Sequence, residues 1–139
     1  MSENKSGDIA PAATLKRLSE LRRVLLRLHK ALLDRERSVY EQVHGRVSSG
    51  ELLQLVIQHD QFAWLHAISE LIVRTDEMLD ADEPLTNGEA ESLLSKARGL
   101  LKLSETEGEF GRKYSAAFQR DPDTVLAHRE VMLILSART

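Results

Sequence analysis

The stretch that decides the fold is LSELRRVLLRLHKAL, residues 18–32. Its leucines follow one another at spacings of three and four, the repeat of one face of an α-helix. That face is formed by Leu18, Leu21, Leu25, Leu28 and Leu32. The pattern predicts a helix over residues 12–44, ended by Gly45 in a left-handed conformation. Arg35 and Glu36 interrupt the apolar face, so we expect the last two turns of this helix to bend or to be less buried.

The segments that follow also carry the signals of helix starts. Ser48 and Glu51 stand in the spacing of a capping box, and so do Thr86 and Glu89. An apolar pattern over residues 61–80 predicts a central third helix, and an Asp-Pro pair opens the last helix. The sequence therefore predicts an all-α fold, a single-domain antiparallel helical bundle with four long helices and two short ones. We expect residues 1–11 to form a flexible N-terminal tail and residues 12–139 to form the bundle domain.

Composition excludes several classes of site and partner. The chain has no cysteine, so it holds no disulfide, no thiolate metal site and no cysteine nucleophile. No apolar run approaches the roughly 20 residues of a membrane span, and the polar N-terminus has no secretory pattern. We therefore expect a cytoplasmic protein that does not bind membranes. The net charge of −3 argues against nucleic-acid binding, although residues 16–37 are basic and residues 70–91 are acidic.

A polar stripe on the predicted third helix supplies the candidate metal ligands. His59, His66 and Glu70 lie close together in angle around that helix, and His44, folded back from the first helix, would be a further ligand. Glu41 and His44 form one E-x-x-H pair, whereas a di-iron bundle needs two such pairs and two further glutamates. A solvated polar face is the interpretation we favour, and a metal site is the alternative.

No motif predicts catalytic residues or a cofactor. The sequence contains no nucleophile elbow, no P-loop and no dinucleotide fingerprint. His128 has apolar neighbours, so we expect a hydrogen-bonded core residue rather than a ligand. Four basic residues repeat every seven positions along the first helix, and we expect acids of the same helix to pair with them. They are Lys16, Arg23, Lys30 and Arg37.

Six short segments resemble a group of bacterial hypothetical proteins of similar length. They are FAWL at 62–65, SELI at 69–72, DE at 76–77, LLD-x-E at 32–36, HG at 44–45 and RDPD at 120–123. The resemblance covers most of the chain from about Leu18 onward. It implies a bacterial cytosolic source, and no activity or functional residue comes with it.

The last helix suggests how the protein acts. One of its faces carries Val125, His128, Val131, Met132 and Leu135, while Leu126 and Leu133 lie on the other. A terminal helix with two apolar sides is either deeply inserted or buried by a second copy. We therefore expect a non-enzymatic protein-interaction module, homodimeric through its C-terminal helix, with an unidentified protein as a further partner. The alternatives are a metal- or cofactor-binding bundle that uses the His/Glu stripe, and a small-molecule sensor with a pocket beside Trp64.

Overall fold

The computed structural model describes residues 7–103 and 108–136, and every regular element in those ranges is a helix. The helices are α1 (Ala12–His44), α2 (Ser49–Gln58), α3 (Asp60–Ala63), α4 (His66–Asp80), α5 (Asn87–Leu101), α6 (Gly108–Arg120) and α7 (Pro122–Ser136). The two described ranges contain no β-strand, and an isolated β-bridge joins Ile9 to Thr86. The predicted all-α fold class is confirmed.

The leucine face of α1 forms the centre of the core. All five leucines of residues 18–32 that face inward are fully buried, as their spacing predicted. α1 packs most extensively against α7 and α4. The contacts run in opposite order along α1 and α7, because Arg17 reaches the carbonyl oxygen of Leu135 whereas Arg27 pairs with Glu130.

The predicted third helix is divided into α3 and α4. The backbone N–H of Leu65 donates to the carbonyl oxygen of Phe62 over 3.1 Å, which is the i→i+3 hydrogen bond of a tight turn. Phe62, Trp64 and Leu65 are all buried. Trp64 and Leu65 keep right-handed helical backbone angles, so the division is a short 3₁₀-like turn within a helical path. The division explains why the described residues form seven helices where the sequence predicted six.

The helix starts and ends read from the sequence are confirmed at several points. Ser48 and Thr86 each accept a hydrogen bond from the glutamate three residues later, and both capping boxes are complete. Gly45 ends α1 with a φ of 85°. At the start of α7, Asp121 accepts a hydrogen bond from the hydroxyl of Thr124 over 2.7 Å. These signals are local, which is why a sequence pattern identifies them.

Part of the segment predicted as a tail is held against the bundle. Residues 1–6 lie outside the residues that the structure describes. The N–H of Ala10 donates to the carbonyl oxygen of Leu85, and the N–H of Asn87 donates to that of Asp8, each over 2.7 Å. Ala10 is also buried. The stretch 8–10 is therefore attached to the segment that precedes α5.

The last third of α1 and the whole of α2 pack against the core only through partly buried side chains. α1 buries no residue after Leu32, and α2 buries none at all. The expectation that the end of α1 would be less buried is confirmed. We refer to residues 33–58 as the arm.

Candidate functional site

A groove along α4 contains most of the polar stripe predicted from the sequence. It has a volume of about 470 Å³ and is lined by His66, Ser69, Glu70, Val73, Arg74 and Glu77. The two acids and the arginine are solvent-exposed. The groove is thus open, of mixed charge, and has one apolar residue in its wall.

A histidine from α1 contacts Ser69 in the wall of this groove, and the sequence did not predict this contact. His29 Nε2 lies 3.0 Å from the Ser69 hydroxyl oxygen, within hydrogen-bond distance. Burial, and secondarily the charge of His66, lower the pKa of His29 below its usual value, so the ring is neutral at neutral pH. A neutral imidazole beside a hydroxyl can accept a proton from it. No local pattern signals this pair, because its members are 40 positions apart.

The four predicted metal ligands fall into two separate settings. His44 and His59 both contact the ring of Tyr40, with ring centroids 4.2 Å and 5.5 Å away. His66 and Glu70 instead line the α4 groove. His66 Nε2 donates to the carbonyl oxygen of Val56 over 2.8 Å, so that nitrogen is not free to bind a metal.

Among the residues that the structure describes, no group of three histidine or acidic side chains is arranged to hold a metal ion. The metal site therefore stays a prediction from the sequence, and no geometry supports it.

His128 lies in the core and is hydrogen-bonded, as expected. Its Nδ1 is 2.6 Å from the hydroxyl oxygen of Tyr114, and the ring of Phe118 packs edge-on against it. Burial raises the pKa of Tyr114 and lowers the pKa of His128. Both groups are therefore neutral at neutral pH, and the pair joins α6 to α7.

Several basic residues of α1 form ion pairs with acids of the same chain. Lys30 pairs with Asp34 on the same helix over 2.8 Å. Arg22 pairs with Asp76 of α4, which connects the basic and the acidic segments of the sequence. Of the four residues in the predicted basic stripe, Lys30 and Arg37 thus pair with acids of α1, the latter with Glu41 over 3.5 Å.

Two surfaces carry exposed aliphatic side chains. The first is the outer side of α7, where Leu126 and Leu133 are 60% and 72% exposed. Leu126 also lines a groove of about 480 Å³ between α1 and α7, beside the Arg27–Glu130 ion pair. The second surface is the arm. There, α2 contains five large aliphatic residues and buries none of them.

No family model, no curated protein and no solved structure matches the chain. None of the described helices has the length and the apolar character needed to cross a bilayer. Function is therefore inferred from the surfaces of this chain alone.

Proposed function

We propose that the chain is a non-enzymatic, cytoplasmic helical protein-interaction module, a single-domain antiparallel bundle that forms a homodimer through α7. The observation that carries this proposal is the outer face of α7, with its two exposed leucines. Leu126 and Leu133 are seven residues apart, so they lie on one line along the helix. They point away from the buried residues of the same helix, which are Thr124, Ala127, His128, Val131 and Leu135.

Two-fold symmetry makes such a face complementary to itself. An axis perpendicular to α7, passing near Arg129 and Glu130, brings Leu126 of one copy against Leu133 of the second copy. Arg129 of one copy then faces Glu130 of the second copy, which is also paired with Arg27 of its own chain. A single exposed leucine is normal on a protein surface, but here two exposed leucines lie on one line of the same helix.

The test is the particle mass of the untagged protein over a range of micromolar concentrations, by light scattering and native mass spectrometry. We expect a concentration-dependent dimer. Replacing Leu126 and Leu133 together by lysine should raise the dissociation constant at least about 100-fold, because burying each leucine contributes about 1.5–3 kcal/mol.

The matched control is Val73→Lys, which places the same charge at a residue of α4 that is 54% exposed. It should leave the particle mass unchanged. A protein whose mass is unaffected by the double lysine variant does not dimerise through α7, and the proposal is then wrong.

A further inference from the structure

Ser69 has surroundings that no other serine of residues 7–103 and 108–136 shares. Its hydroxyl oxygen lies 3.0 Å from Nε2 of His29, and within those ranges no other serine has a histidine ring at hydrogen-bond distance. Ser69 also lines the α4 groove, which has a volume of about 470 Å³. A hydroxyl that contacts a base and lies in the wall of a groove has the arrangement of an activated nucleophile.

The hydroxyl proton of Ser69 is directed to the imidazole of His29. The other acceptor near this hydroxyl is the carbonyl oxygen of Leu65, at 3.5 Å, which is the outer limit of a hydrogen bond. Burial lowers the pKa of His29, so its ring keeps an unprotonated nitrogen at neutral pH. We therefore assign the hydroxyl as the donor and Nε2 as the acceptor, which is the direction in which a general base takes up a proton.

A second pair of a hydroxyl and a histidine, Tyr114 with His128, shows a purely structural contact in the same chain. Tyr114 is fully buried and His128 is buried beside it, so a small molecule has no access to their hydrogen bond. Ser69 is only partly buried and lines the groove. A molecule in the groove can therefore contact the Ser69 oxygen while its proton is hydrogen-bonded to His29.

The walls of the groove suit a small, polar acyl donor. Val73 is the apolar residue of the lining, and the other lining residues carry charged or hydrogen-bonding groups, so a long alkyl chain would find little apolar contact there. Arg74 lines the same groove, is exposed, and forms no ion pair with the described residues. The backbone N–H of Ser69 already donates to the carbonyl oxygen of Leu65. The Arg74 guanidinium is therefore the donor we assign to a carbonyl oxygen that becomes negative during attack.

We propose that the α4 groove is a site of covalent modification, in which Ser69 accepts a short acyl group from an activated ester or thioester. The Ser69 oxygen forms a bond to the acyl carbon while its proton passes to Nε2 of His29. The bond from the acyl carbon to the leaving oxygen or sulfur then breaks, and His29 returns the proton to the leaving group. The products are an ester on Ser69 and a free alcohol or thiol, and no oxidant or further reactant is needed. This site goes beyond the proposed function and does not use the α7 surface.

Acetylation of the full, untagged chain by para-nitrophenyl acetate tests the proposal. Wild type should gain an acetyl group on Ser69, located by peptide mass spectrometry and removed by neutral hydroxylamine, which cleaves esters and leaves the amides formed on lysine. Ser69→Ala should lose that group. His29→Gln should slow its formation at least about 100-fold, because the amide can still hydrogen-bond to the hydroxyl but is not a base. The matched control, Ser92→Ala, removes an exposed serine of α5 and should leave the acetylation of Ser69 unchanged.

A variant with a single thiol separates loss of activation from loss of folding. The chain has no cysteine, so alkylation of Ser69→Cys by iodoacetamide reports on this position alone. Adding His29→Gln should slow the alkylation about tenfold, whereas unfolding would expose the thiol and raise the rate. The same addition to Ser92→Cys should leave the rate unchanged. A wild type that gains no ester at Ser69, or rates at this position that do not depend on His29, would overturn the proposal, and neither result bears on the α7 dimer.

Discussion

Removal of the Tyr114 hydroxyl is the substitution whose effect on the free energy of unfolding follows most directly from the structure. Tyr114 is fully buried on α6, and its hydroxyl oxygen lies 2.6 Å from Nδ1 of His128 on α7. Both groups are neutral, since burial raises the pKa of Tyr114 and lowers the pKa of His128. A phenol is a stronger acid than a neutral imidazole, so we assign the hydroxyl as the donor and Nδ1 as the acceptor.

Tyr114→Phe keeps the ring and removes the donor, so it leaves a buried imidazole nitrogen without a partner. Such an orphaned group costs about 1–3 kcal/mol of unfolding free energy. For a chain of this length, 1 kcal/mol corresponds to about 4 °C in Tm, which gives an expected decrease of about 4–12 °C. Urea and thermal unfolding followed by circular dichroism measure both quantities. The control is Tyr40→Phe, whose ring lies on the half-buried surface of the arm, and it should change the free energy by less than about 0.5 kcal/mol.

A second substitution tests why Tyr114→Phe lowers the free energy of unfolding. Adding His128→Leu to Tyr114→Phe replaces both polar partners by apolar groups, a change that can be nearly neutral. The double variant should therefore be more stable than Tyr114→Phe. If the two substitutions are simply additive, or if Tyr114→Phe costs less than about 0.5 kcal/mol, the hydrogen bond does not stabilise the core as argued.

Three further predictions concern Arg17, the helix caps and the response to acid. Arg17 is buried and donates to the carbonyl oxygens of Ile134 and Leu135 near the end of α7 over 2.9 and 3.0 Å, so Arg17→Met should lower the free energy of unfolding by about 1.5–3 kcal/mol. Hydrogen exchange should also accelerate in the last turn of α7. The control is Arg23→Met, at an exposed residue, which should change neither the free energy of unfolding nor the exchange rate. Thr86→Ala should lower the unfolding free energy by about 1 kcal/mol. Ser48→Ala, the same change in a helix that buries nothing, should mainly speed hydrogen exchange within that helix. Because folding lowers the pKa of His29 from 6.5, this histidine takes up a proton at a higher pH in the unfolded chain than in the folded protein. Stability should be full above about pH 6.5 and fall as the pH decreases through the folded pKa, and His29→Gln should flatten that fall in urea titrations.

The features that the sequence predicted are those set by neighbours along the chain. The leucine spacing of α1, the capping boxes at Ser48 and Thr86, and the Asp121-Pro122 start of α7 each depend on residues within one or two turns. Local hydrogen bonds and the 3.6-residue repeat determine such features, so a single sequence is sufficient to find them.

The features that the sequence analysis missed depend on residues far apart in the chain. The turn between α3 and α4 contains Trp64 and Leu65, which are both buried, and helix propensity does not reveal it. The contact of His29 with Ser69 requires α1 to lie along α4. The attachment of residues 8–10 to the segment before α5 uses backbone groups, which carry no side-chain signal.

The exposed arm follows from a difference in length. α1 has 33 residues and α4 and α7 have 15 each, so at about 1.5 Å per residue α1 is about 27 Å longer than either of its main neighbours. A hydrophobic stripe that stopped at Leu32 would make this extra length an ordinary solvated helix. Instead the stripe resumes at Val39 and Val43, and α2 adds apolar residues beside it without burying one. The extra length of α1 therefore explains why Val39 and Val43 stay exposed within the described residues.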